Sequence, residues 1–143
     1  MGKLFKGTVK SINLVSSECF MVEGWLGDDN VIRQTLAIHD DGKVYFNEYL
    51  ATDENQNIKR HRITLSKEAA RAVLDSIGQY FAADNEIICA CDAGDWELTI
   101  TNTEGKKFVY FGAMIPEILT LESITNRLCE ILDQNVWGFS GGR

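Results

Sequence analysis

Residues 34–50, "QTLAIHDDGKVYFNEYL", and residues 95–112, "DWELTITNTEGKKFVYFG", constrain this chain most. In each, apolar side chains alternate with polar or small ones, an acid–Gly–Lys turn follows, and a run of β-formers returns. The turns are Asp41-Gly42-Lys43 and Glu104-Gly105-Lys106. Alternation at period two closed by such a turn predicts a β-hairpin. Further strands are expected at Phe5–Val9, Cys19–Trp25, Ile58–Thr64 and Ile87–Cys91.

Two other segments carry helical period. In Ser66–Phe81, Ala70, Val73, Leu74, Ile77 and Phe81 recur at three- and four-residue steps, which makes one apolar stripe. Ser66 is the expected N-cap and Glu68 suits the first turn, while Gly78 weakens the last. In Leu121–Leu132 the stripe is Leu121, Ile124, Leu128, Ile131 and Leu132, with Thr120 as the expected cap. The fold class expected is α+β: an antiparallel sheet of about six to eight strands, with two amphipathic helices packed on one face.

At 143 residues the chain is expected to be one domain, 1–143. A chain of this length buries roughly 68–70% of its unfolded surface and needs no staples. A weak internal duplication, 18–82 against 86–133, is one account of the two hairpin–helix halves. Any meander followed by a helix looks similar. Residues 138–143 are expected to be a flexible tail.

Residues 86–97, "EIICACDAGDWE", look most like chemistry. On a strand, Cys89 and Cys91 share a face. Their neighbours are small or apolar, and free Cys packs as a small hydrophobe. A tetrahedral metal site wants closely spaced ligand pairs. Here Cys19 and Cys129 are distant in sequence, and C-x-C is not the C-x-x-C redox spacing. The preferred reading is a buried strand with reduced, metal-free thiols, followed by a soluble acidic turn. "DENQN", 53–57, starts like a calcium loop but has Ile58 and Thr64 where glycine and glutamate belong. No metal or other cofactor is expected.

The chemistry of an enzyme is hard to find. His39 and His61 are the only histidines, and no nucleophile elbow, zinc-protease motif or Gly-rich phosphate loop occurs. Asp28-Asp29 and Asp40-Asp41 fall where turns are expected. "KRHR", 59–62, packs three cations and a histidine. As a strand it turns Arg60 and Arg62 to one side and Lys59 and His61 to the other. The preferred reading is an edge strand defended by charge.

The formal net charge is −7, which disfavours direct nucleic-acid binding. From Asp84 to Gly105 there are six acids and no basic residue. No apolar run reaches bilayer length and no secretory signal is read, so a cytoplasmic location is expected. The leading expectation is a non-catalytic binding protein that engages a basic protein partner, inhibitor- or immunity-like. Asp92, Asp95 and Glu97 are its candidate contacts, with Trp137 and Phe139 if the C-terminal segment is a sticky tip instead of docking on the sheet. The alternative is an enzyme or small-ligand site at Arg60, His61 and Arg62. Nothing in the residues specifies an oligomeric state.

Overall fold

A computed structural model describes residues 3–17, 31–50, 57–85, 87–89 and 94–141. The elements run β1 (Val9–Ser17), β2 (Val31–His39), β3 (Lys43–Leu50), β4 (Asn57–Thr64), α1 (Lys67–Ala82), β5 (Asp95–Asn102), β6 (Lys107–Ala113) and α2 (Leu119–Leu132). The fold is α+β. The strands make one six-stranded sheet in the order β4-β3-β2-β1-β5-β6, with every pairing antiparallel. Both hairpins, β2–β3 and β5–β6, therefore form as read.

The centre of the sheet is the element the sequence reading misplaced. A strand was expected at Phe5–Val9; β1 instead starts at Val9 and runs to Ser17. Residues 3–8 cross to α1, where the Phe5 N–H donates to Phe81 O at 2.9 Å. Ile12 and Leu14 point into the core, and Ser16 joins them as a buried polar group. Its hydroxyl donates to Gly138 O at 2.8 Å, which removes the cost of burying it.

Alternation sorts the remaining strands. Leu36 and Ile38, Val44 and Phe46, Trp96, Leu98 and Ile100, and Phe108 and Tyr110 are buried. They share one hydrophobic core with Leu74 and Ile77 of α1 and Leu121 and Leu128 of α2. The stripes read from the sequence are thus the buried faces of the helices. Ser66 caps α1 through its Oγ, which accepts from the Ala69 N–H at 3.0 Å. Gly78 has a reason to be small: a Cβ there would stand 2.7 Å from Val9 Cγ2 and 3.3 Å from the Phe5 ring. Its lower helix propensity is the cost of bringing α1 close to β1.

α2 starts earlier than expected. Its N-cap is Ile118, with no side-chain cap, and Thr120 lies inside the helix. After α2 the chain returns across β1 and β2. The Trp137 N–H donates to Gln34 Oε1 at 2.7 Å, and Gln34 Nε2 donates to Asn135 O at 2.8 Å. The Phe139 N–H donates to Thr125 Oγ1 at 3.0 Å. Trp137 is 7% exposed and Phe139 1%. The stretch expected to trail as a tail over 138–143 therefore begins inside the core, and neither aromatic is a sticky tip. Phe139 meets Trp96 edge-on at 4.9 Å, a geometry that aromatic quadrupoles favour.

Candidate functional site

Side chains one position out of step with the core make up the other face of the sheet. Register fixes its rows. One row reads Arg60, Asn47, Thr35, Val15, Glu97, Phe111. The next reads Arg62, Tyr45, Ala37, Asn13, Thr99, Val109. Arg60 and Arg62 stand at the β4 end, small and polar side chains fill most of the middle with Arg33 among them, and at the β5–β6 end Asp95 and Glu97 stand with Val109 and Phe111, with Lys107 at the start of β6.

Asp95 and Glu97 are exposed and flank buried Trp96, as the alternation required. Asp92 lies outside the described residues. Glu97 is the register partner of Phe111, and Asp95 that of Ala113. Phe111 is 60% exposed and Val109 43%. Large apolar side chains that stand together in water mark a contact surface better than scattered ones do.

Two clefts adjoin this ridge. One, about 290 Å³, is lined by Cys89, Asp95, Glu97 and Phe111 among others. The second, about 540 Å³, lies between β6 and the segment after α1, with Leu4, Asp84, Ile87, Cys89, Val109 and Phe111 in its walls. They share Cys89 and Phe111. Among the described residues the charged groups in both are acids only: Asp84, Asp95 and Glu97. The pair can therefore offer apolar contact beside negative charge.

Residues 87–89 depart from the expectation of a buried strand. They are not part of the sheet, and Ile87 and Cys89 are exposed. Among the described residues they are bonded to β6 by the Ala113 N–H, which donates to Ile88 O. The inner face that would have buried them is already filled by Phe81, Tyr110 and Phe139. Cys89 is free and faces solvent; Cys91 and Cys19 lie outside the described residues. No three His, Cys, Asp or Glu side chains among the described residues stand close enough to hold a metal ion.

The alternative site does not converge. β4 is an edge strand, so "KRHR" sits where a charged edge was read. Arg60 pairs in register with Asn47 and Arg62 with Tyr45, whereas His61 pairs with Phe46 on the opposite side. There its ring stacks on Phe46 at 5.5 Å and its Nε2 meets Glu48 Oε1 at 3.2 Å. The histidine and the two arginines thus face different surroundings. A groove of about 430 Å³ between α1 and α2 carries Ser76, Gln79, Thr120, Ser123 and Arg127. All five are exposed and Tyr80 is the one buried residue with a polar side-chain group in its described walls, so few buried polar groups converge there.

Burial raises the Tyr110 phenol above its ordinary value. Its hydroxyl donates to Lys3 O at 2.7 Å, which ties the N-terminal segment to β6. No helix among the described residues is long and apolar enough to cross a membrane.

The exposure of Asp95 and Glu97 is legible in the sequence, whereas that of Val109 and Phe111 is not. In "FVYF" both alternate positions are apolar, so no pattern shows which side faces water. Comparison with family models gives no match for this chain, and comparison with curated proteins gives none.

Proposed function

We propose that this protein is a non-catalytic binding protein that engages a basic protein partner, in the manner of an inhibitor or immunity protein. In this reading both helices cover one face of the sheet, and the other face is the recognition surface. The observation that carries it is the exposed Phe111–Val109 ridge beside Asp95 and Glu97, with acids as the only charged groups among the described residues of the adjoining clefts. The net charge of −7 adds a long-range field of the same sign, which steers a cationic surface and raises its association rate. Apolar contact supplies the affinity once the surfaces meet. The competing reading, a ligand site at Lys59–Arg62, has less support, because His61 and the arginines face opposite sides.

Capture from native extract tests the proposal. Wild type, Asp95→Asn/Glu97→Gln and Phe111→Lys are immobilised side by side and washed at low and high salt. A protein held by wild type at low salt, released by salt and lost from both variants supports the reading. Identical capture by all three contradicts it.

A further inference from the structure

Among the described residues, the outer backbone side of β6 is answered at Ala113 alone. Met114 N–H donates to Gly94 O at 2.8 Å, and Lys106 O accepts from Asn102 N–H at 2.9 Å. Both groups belong to even-numbered residues, and both point toward β5. In an antiparallel pair the direction alternates, so odd-numbered residues of β6 turn N–H and C=O away from β5. Ala113 confirms the phase, since its N–H reaches Ile88 O on that outer side. β6 is the last strand in the sheet order. Among the described residues nothing on the outer side answers the N–H of Val109 or Phe111. The same two residues carry the exposed apolar side chains.

An unpaired edge is a template for another strand, and proteins commonly blunt theirs with charge. β4, the opposite edge, carries Lys59, Arg60 and Arg62. β6 has a lysine only at its start, Lys107, and continues as Phe-Val-Tyr-Phe-Gly-Ala. The groove of about 540 Å³ runs beside this undefended stretch.

We propose that β6 takes up an extended segment of the basic partner as an added strand, bonded to the backbone of Val109 and Phe111. Its apolar side chains lie against Phe111 and Val109. Its lysines or arginines reach Asp84 on the far wall of the groove and Glu97 two strand spacings away, a distance of roughly 10 Å. Backbone bonds supply affinity in such an addition, and alternate side chains supply specificity. The inference rests on the partner-binding reading and names how the partner is held. A second copy of this chain fits less well. Pairing β6 with itself brings two acidic surfaces together, each with Asp95 and Glu97, on chains of net charge −7.

The test uses the full chain and a blocked eight-residue peptide in which pairs of valines alternate with pairs of lysines, so that each face of the added strand carries both. A second peptide has the same side chains but is N-methylated at every second amide, the set that would face β6. A third replaces lysine by glutamate. Affinity and amide hydrogen exchange are read by nuclear magnetic resonance. The valine–lysine peptide is expected to bind and to slow exchange at Val109 and Phe111. N-methylation should weaken it roughly tenfold or more, the worth of one or two lost hydrogen bonds. The glutamate peptide should bind more weakly still, and Phe111→Lys should weaken the valine–lysine peptide. Equal binding by the methylated peptide overturns the proposal. So does binding with unchanged exchange at those two amides, no binding, or self-association through them without peptide. A partner captured from extract through Asp95 and Glu97, with those amides unaffected, keeps the binding reading and removes strand addition.

Discussion

Gln34 holds Trp137 by the backbone. Its Oε1 accepts the Trp137 N–H at 2.7 Å while its Nε2 donates to Asn135 O at 2.8 Å, and Gln34 is buried. One side-chain amide on β2 thus imitates a strand partner for the segment after α2. Gln34→Leu keeps the volume and removes both bonds. Leaving a buried N–H without a partner costs about 1–3 kcal/mol. Urea unfolding should show a loss of that size, and Trp137 fluorescence should shift toward the exposed value before the global transition.

Trp96 makes an analogous demand on β6. Its register partner is Gly112, and a Cβ there would stand 2.4 Å from the indole ring. The indole N–H donates to Ala113 O at 3.1 Å, so the ring cannot tilt away freely. Gly112→Ala should destabilise by about 1–3 kcal/mol, the usual cost of overpacking a core. Thermal unfolding monitored by tryptophan fluorescence checks it.

Cys89 should react in the native state. It is exposed, whereas Cys129 is half-buried with its thiol directed to Val136 O at 3.2 Å. Labelling with a disulfide reagent without denaturant should lose one fast equivalent in Cys89→Ser. No change in the fast phase would return Cys89 to a buried position.

Tyr110 sets an alkaline limit. Burial raises its phenol above 10.0 in the folded state. Between the unfolded and folded values the unfolded chain has lost the proton and the folded one has kept it. The stability contributed is full below pH ~10 and is lost as pH rises through the folded value. Tyr110→Phe should lower stability near pH 7 by about 1 kcal/mol through loss of the bond to Lys3 O. It should also fall less steeply above pH ~10 than wild type in denaturant titrations.

Strong periodicity made both helices and both hairpins legible, because it states a buried face directly. Leu74 and Leu128, the middles of the two stripes, are fully buried. β1 was harder. "KSINLVSS" has only Ile12 and Leu14 as clear inward residues, and Ser16 is inward through a bond to Gly138 that sequence does not reveal. "EIICAC" erred the other way. Apolar composition suggested burial, but Phe81 and Tyr110, stacked at 4.5 Å, already fill the space. The docking of Trp137 depends on Gln34, about a hundred residues away in the chain, and no local pattern encodes that contact. At the candidate site, charge was readable because Asp95 and Glu97 flank Trp96. The exposure of Phe111 was not, since it follows from β6 being an edge.

A photo-crosslinking amino acid at position 111, introduced in the native host, tests the central claim most directly. The control position is Leu119, the most exposed large apolar residue described, at 74%, and located on α2. The account predicts a discrete adduct with a basic protein from position 111, suppressed when Asp95→Asn and Glu97→Gln are present, and none from position 119. Adducts from position 119 with none from position 111 would place recognition elsewhere and contradict it.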